Sequence, residues 1–225
     1  MSVLFFDGFD YIGAPINAQD YTINAYGWDG KIYGASAGRY GGYSVSQLVA
    51  KTTLGSRSTL ILNMGLNSPS GGHSNTTSVF QFIDGTVADT APTVQCGVGL
   101  NSDQQFFITR GTSTILGTSS YALHPGQWRW LSIKAVFSNT VGAIYIKIDG
   151  SLVYSLTNID TVVTANETAN IVKINTLSSG TTLVDDVVIN DTLGGVDDDH
   201  LSDRRVTGSL PNANGDTITW SSTKA

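Results

Sequence analysis

The side chains best suited to chemistry in this sequence are its carboxylates, and their placement argues against most of the chemistry they could do. Hydrolysis of a glycosidic bond needs two carboxyl groups flanking the bond, one acting as acid and the other as base or nucleophile. The chain holds a single glutamate, Glu167, in the loop-like stretch TANETAN with no acidic neighbour. Asp185-Asp186 is the one acidic pair inside a strand-like segment, TTLVDDVVIND. Adjacent strand residues point to opposite faces, so these two are not expected to face one substrate. Leu183, Asp185, Val187 and Ile189 share the apolar phase, which points the Asp185 carboxylate inward, where an unpaired charge is costly. Backbone amides, a Tyr or Trp hydrogen bond, or an arginine such as Arg39 would satisfy it. Calcium is the alternative, with Asp185 and Asp198 as candidate ligands, but the set of oxygens that a calcium site requires cannot be assembled from this sequence, and no cofactor is expected.

The remaining reactive residues read as structural. Asp197-Asp198-Asp199, followed by His200 and Asp203, lacks the glycine at the sixth position and the terminal glutamate of an EF-hand loop, and reads as a solvated acidic loop. His73 sits in a Gly and Ser loop and His124 precedes Pro125; neither has Cys or His at ligand spacing. No G-x-S-x-G elbow presents a nucleophilic serine. The lone Cys96, in the alternating TVQCGVGL, reads as a small buried thiol.

These side chains need a scaffold, and the composition points to an all-β one. Hydrophobic residues make up 40% of the 225 residues and charged residues 13%; Ser, Thr, Asn and Gly take the place of the Lys and Glu that solubilise helices. No window carries a capped 3.6-residue apolar stripe, so almost no helix is expected. A net charge of -6, with Arg204-Arg205 the only adjacent bases, argues against nucleic acid or an anionic membrane as partner. The start, MSVLFFDGFDY, lacks a basic region and meets Asp7 at once, unlike a secretory signal, and no run is long enough to span a bilayer.

Residues 126–156, GQWRWLSIKAVFSNTVGAIYIKIDGSLVYSL, organise the chain. Leu131, Ile133, Ala135 and Phe137 alternate with Trp130, Ser132, Lys134 and Val136; Ile144, Ile146 and Ile148 alternate with Tyr145, Lys147 and Asp149. One face is apolar and the other mixed. A three-residue loop at Asp149-Gly150 is expected, because it sets Ile144, Ile146, Leu152, Tyr154 and Leu156 on one face. Trp28 is expected to cap one end of the core. Short segments bounded by turn residues recur about every ten residues, the pattern of a sandwich or barrel. One domain, residues 1–193, is expected, with residues 194–225 as an apolar-poor clip lying on the sandwich or an arm reaching a neighbour.

Taken together, LFFDGFD, AGRYGG, QWRWLSIKAVFSNTVGAIYIKIDG, LVDDVVIND and the late DRRV, LP, NGD and W resemble the concanavalin A-like, laminin-G-like jelly-roll proteins of tailed bacteriophage particles. The likeness runs from Val3 to Trp220. It implies a jelly-roll sandwich of two antiparallel sheets and a virion protein without enzyme activity, made in the host cytoplasm and exposed on a tail or fibre or decorating the capsid. Partners would be other virion proteins and further copies of the chain, a trimer by family habit. The glucanase branch of this superfamily carries closely spaced glutamates on one strand, a pattern absent here. A carbohydrate-binding role toward host glycan is the alternative function. Trp130, Lys134, Tyr145, Lys147 and Trp220 are the candidate interaction surface, and burial of the aromatics within the chain or between subunits is preferred to a glycan platform.

Overall fold

The computed structural model describes residues 3–9, 21–22, 31–35, 38–40, 44–47, 54–68, 78–85, 92–175, 182–207 and 221–224. For 21–22, 31–35, 44–47, 207 and 221–224 only the backbone is described. The positions Trp28, His73 and Trp220 lie outside the described residues. The described elements are strands: β1 (Val3–Asp7), β2 (Tyr21–Thr22), β3 (Lys31–Ala35), β4 (Ser44–Gln47), β5 (Thr59–Asn67), β6 (Phe80–Asp84), β7 (Thr93–Leu100), β8 (Gln105–Arg110), β9 (Thr114–Ala122), β10 (Trp128–Val136), β11 (Gly142–Ile148), β12 (Ser151–Ile159), β13 (Ile171–Ile174), β14 (Leu183–Asn190), β15 (Arg204–Thr207) and β16 (Ser221–Lys224).

They form two packed antiparallel sheets, a jelly-roll sandwich. The larger runs β12-β11-β10-β5-β14-β4-β3-β2, with β1 also paired to β14. β1 takes the free edge of β14 from Val187 to Asn190, and β4 takes it at Val184. The smaller sheet runs β13-β6-β7-β8-β9, and β15 and β16 form a separate two-stranded ribbon.

The alternation read from residues 126–156 places the core. Leu131, Ile133 and Ala135 of β10 and Ile144, Ile146 and Ile148 of β11 point inward, against Phe80, Phe82, Val98 and Phe106 of the smaller sheet. Cys96 is among them and fully buried. Each fully buried aliphatic or aromatic side chain contributes about 1.5–3 kcal/mol, which fixes the register of the central strands: a one-residue slip would turn every one of them outward.

Two local departures from ideal strand geometry change what the sequence suggests. The β11-β12 loop has two residues, with Ile148 opposite Ser151 and positive φ at both Asp149 (50°) and Gly150 (83°), the conformation of a type I′ turn. A bulge then inserts Val153, after which Ile146 faces Tyr154 and Ile144 faces Leu156. Tyr154 and Leu156 pack on the core as expected, but Leu152 lies before the bulge, opposite Lys147, and is 56% exposed. The expected three-residue loop is therefore wrong; the bulge supplies the register shift assigned to it.

The second departure is in β14. Asp185 faces Gly65 and Val188 faces Asn63, so one residue is extra, and Asp186 has φ of 51°. The bulge shifts the strand's phase: Val184, Val187 and Ile189 enter the core, and Asp185 turns to the outer face of the large sheet. The inward placement expected for Asp185, and the opposed directions expected for Asp185 and Asp186, both fail because alternation holds only along an unbulged strand.

Candidate functional site

The mixed outer face of the large sheet gathers most of the singled-out residues. From β5 it presents Asn63 and Gly65, from β10 Trp130, Ser132 and Lys134, from β11 Tyr145 and Lys147, and from β14 the bulged Asp185-Asp186, Val188 and Asn190. Residues 197–207 lie across its centre, and we call this segment the clip. A small apolar cluster of Val188, Leu201 and Val206, flanked by Val3 and Phe6, anchors one end.

In many of the polar contacts of the clip, side chains of the sheet grip backbone groups of the clip. Trp130 Nε1 donates to Leu201 O at 2.9 Å, and Asn63 Oδ1 accepts from Leu201 N at 3.1 Å. Asn190 Nδ2 donates to Asp197 O (2.7 Å) and Asp199 O (3.0 Å), and Asp186 Oδ1 accepts from Val206 N at 2.7 Å. Gly8 lets the clip pass close: a side-chain carbon there would collide with Val206 O.

Beneath the clip the hydrogen bonds fix a proton. Asn63 Nδ2 donates to Asn190 Oδ1 (2.8 Å) and Val188 O (3.3 Å) while its Oδ1 receives Leu201 N, so the orientation of the amide is determined from both ends. Ser132 Oγ, 2.6 Å from Asn63 Oδ1, must place its one proton there. The 2.6 Å contact between Ser132 Oγ and His200 Nδ1 then runs from an imidazole N–H to the hydroxyl oxygen. His200 is therefore the Nδ1-protonated tautomer, and Nδ1 cannot act as a base toward Ser132. Burial, reinforced by Lys147 and Lys134 against the opposing pull of Asp199, lowers the His200 pKa to about 4, so the ring is neutral at pH 7.

Acids and bases are matched across the interface and, for Arg204 and Asp197, within the clip itself. Lys134 Nζ meets Asp199 Oδ1 at 2.9 Å and Arg204 meets Asp197 at 2.7 Å. Arg39 pairs with Asp203, and its guanidinium lies over the Trp130 ring at 5.3 Å and the Tyr40 ring at 5.0 Å. Burial raises Asp199, but the Lys134 ammonium and the His200 backbone N–H outweigh it and hold the carboxyl below its usual value. The acidic run is solvated in part, with the Asp199 side chain 62% exposed, but it is also paired: Asp197 meets Arg204, Asp199 meets Lys134, and Asp198 Oδ2 accepts from Gly195 N at 3.0 Å. Asp185, the other calcium candidate, accepts from the backbone N–H groups of Arg39 (Oδ2) and Asp186 (Oδ1), each at 2.8 Å. Among the described residues no group of three His, Cys, Asp or Glu side chains is arranged to hold a metal.

The candidate surface residues therefore have different fates. Trp130 is fully buried, with its indole N–H bonded to the clip. Lys134 is tied to Asp199. Tyr145 and Lys147 are half-buried on β11, and Trp220 lies outside the described residues. Glu167 is exposed, and its Oε1 accepts from Asn139 N (2.7 Å), Ser138 Oγ (3.0 Å) and Asn139 Nδ2 (3.3 Å). The Asn139 backbone N–H, followed by the Ser138 hydroxyl, lowers its pKa. The lone glutamate clamps the β10-β11 connection.

No family model matches this sequence, and no curated protein does. Solved structures match in fold. An endo-β-1,4-glucuronan lyase from Trichoderma reesei is similar over 80% of this chain and 98% of its own, with TM-score 0.53 and 14% identity. Domain 4 of an extracellular arabinanase from Geobacillus stearothermophilus, in complex with arabinotriose, is similar over 84% of this chain and 92% of its own, with TM-score 0.50 and 16% identity. A mutant of Trypanosoma rangeli sialidase matches 59% of this chain at TM-score 0.41; the chain spans only 20% of that enzyme's length. At these identities the likeness is one of fold. Of Asn63, Asn190 and His200, the polar heart of the site, the sequence draws attention only to His200, as a neighbour of the acidic run. Asn63 and Asn190 occupy outward positions on strands and look solvent-facing until the clip covers them.

Proposed function

We propose that this chain is a non-enzymatic β-sandwich component of a bacteriophage particle, exposed on a tail or fibre or decorating the capsid, and acting in assembly and attachment to the host. The sequence resemblance supplies the particle. The non-enzymatic part rests on one observation: the carboxylates and the histidine that could do chemistry are engaged in holding the fold. Glu167 clamps a turn, Asp185 and Asp186 bind backbone amides, and His200 donates to Ser132. Electron microscopy of the intact particle, with density for this sandwich at a defined capsid, tail or fibre position, tests the reading. A particle with no such density would overturn it.

A second reading, recognition of a host-surface glycan, draws on Tyr145 and Lys147. They remain half-exposed beside the clip on the outer face of the large sheet, where an aromatic ring can stack on a sugar and an ammonium can meet its hydroxyl or carboxylate groups. That a sandwich of similar fold is known in complex with arabinotriose fits this reading. A glycan array probed with the isolated protein separates the two: specific binding lost in Tyr145→Ala supports the lectin reading, and no binding to any glycan removes it.

A further inference from the structure

Beside the clip, the outer face of the large sheet continues over β11 and β12, where the register brings two lysines and an aromatic ring together. Lys134 of β10 stands opposite Tyr145 of β11, which stands opposite Ser155 of β12; in the next row Ser132, Lys147 and Leu152 are opposed. Directly opposed side chains are roughly 5 Å apart at Cβ and diagonal ones roughly 7 Å, so Tyr145 lies within reach of both lysines. The charges of this patch do not balance. Arg39, Arg57, Arg110, Arg129, Lys134 and Arg204 each pair with a carboxylate, and Asp199 is taken by Lys134. Among the described residues Lys147 has no carboxylate partner, and neither its ammonium nor the Tyr145 hydroxyl is engaged in a hydrogen bond. Like charges at diagonal positions repel, and one carboxylate offsets only one of them. His200 registers the excess: after burial, the Lys147 ammonium is the strongest influence on the ring, ahead of the opposing Asp199. A chain of net charge -6 thus carries a locally positive, half-exposed patch around an aromatic ring.

We infer that Tyr145 and Lys147 form a binding site for a carboxylate-bearing sugar, a uronic or sialic acid residue of a host-surface polysaccharide. The inference rests on the glycan reading above and names its chemical class. The apolar C–H face of a pyranose ring stacks on Tyr145, its carboxylate reaches the Lys147 ammonium, and its hydroxyl groups meet the hydroxyls of Tyr145 and Ser155. Leu152, exposed in the same row as Lys147, extends the apolar surface under the sugar. The ammonium is a point charge without the planar fork of arginine, so charge alone does not select the ligand. The adjacent ring does, by favouring a carboxylate carried on a pyranose over inorganic phosphate or an acidic peptide segment. One such site binds weakly, and repeated copies in an assembly, each engaging the same polysaccharide, multiply its effect.

The test titrates the full chain at low ionic strength with oligogalacturonate, oligomannuronate, a hyaluronan tetrasaccharide and sialyllactose, each beside its methyl ester, which keeps the ring and removes the charge. Inorganic phosphate and oligoglutamate serve as sugar-free anions. Calorimetry should show at least one acid binding about tenfold more tightly than its ester. Lys147→Gln should abolish that preference and Lys147→Arg should keep it, while Tyr145→Ala should remove binding of both forms; urea unfolding of each variant close to the parent's shows that it folds. A bound carboxylate should also move the protonation midpoint of His200, followed by its nitrogen chemical shifts, upward from about 4, because it offsets the ammonium that lowers it. In Lys147→Gln that midpoint should start higher and no longer respond to the acid. Acid and ester binding alike, with loss in Tyr145→Ala, would overturn the inference and leave the glycan reading standing. Binding of no saccharide, charged or neutral, would remove both. A preference for acid that survives Lys147→Gln, or phosphate or oligoglutamate binding as tightly as the sugar acids, would overturn the inference as well.

Discussion

Asn63→Ala should loosen the clip more than any change in a charged residue of the same interface, and the size of the effect follows from counting the groups it strands. Asn63 is fully buried and takes part in four hydrogen bonds. Of its partners, the Ser132 hydroxyl can turn to His200 Nδ1, provided the imidazole moves its proton to Nε2. The 3.3 Å bond to Val188 O is long and contributes little. Leu201 N–H and Asn190 Oδ1 have no such escape, and each sits in a residue that is 6% exposed or less. A stranded buried polar group costs about 1–3 kcal/mol, so the loss should be about 2–6 kcal/mol, a large part of the roughly 5–15 kcal/mol that holds a domain together. Urea unfolding measures the loss, amide exchange at Leu201 locates it, and nitrogen chemical shifts of His200 report the tautomer: Nδ1–H in the parent, Nε2–H in the variant. A loss below about 0.5 kcal/mol, the usual effect of a neutral surface change, with an unchanged tautomer would refute the network. Asn63→Asp adds a sign. The introduced carboxylate would face Asn190 Oδ1 and Val188 O, two acceptors, so folding favours its protonated form and raises its pKa. That variant should be most stable in acid and lose stability as pH rises through the raised value.

Other outcomes follow from single contacts. His200 binds its second proton only near pH 4 when folded but near 6.5 when unfolded, so between these values the unfolded chain holds more protons and stability should fall as pH is lowered; His200→Gln should flatten that slope in thermal melts. Gly8→Ala should push Val206 off the sheet while leaving the sandwich folded, seen as faster proteolysis within residues 194–207 at unchanged far-ultraviolet dichroism. Lys134→Ala, which removes a partly exposed ion pair, should cost no more than about 1 kcal/mol in urea unfolding. Glu167→Ala should speed amide exchange at Asn139 and leave the rest of the exchange map unchanged, as a clamp on a turn requires.

Much of the fold is legible in the sequence because the central strands are long and their apolar phase is clean. Ile144, Ile146, Leu131 and Ile133 could not alternate as they do and belong to anything but a sheet with one buried face. Bulges are the illegible part. Nothing local to LVDDVV announces that Asp186 adopts φ of 51°, yet that one residue carries Asp185 from the expected core side to the outer face. In the β11-β12 hairpin the Asp-Gly turn is visible, but the extra Val153 that corrects its register is not. The candidate site was legible only in part, for a related reason. Trp130 and Lys134 stand out by type, whereas Asn63, Ser132 and Asn190 resemble ordinary solvent-facing residues, and only the return of a segment some 70 residues further along the chain from Ser132 gives them partners.

Because the sheet holds the clip by its main chain, selection acts on the clip in an uneven way. Its amides at Leu201 and Val206 are indispensable donors, so proline is forbidden at both positions, while their side chains need only be apolar. Ser202 is exposed and can change freely. A saturation library over residues 197–207 should therefore return tolerance at 202 and intolerance of proline at 201 and 206. Across distant descendants of this chain, Asn63, Trp130, Asp186 and Asn190 should persist longer than most of the sequence they grip.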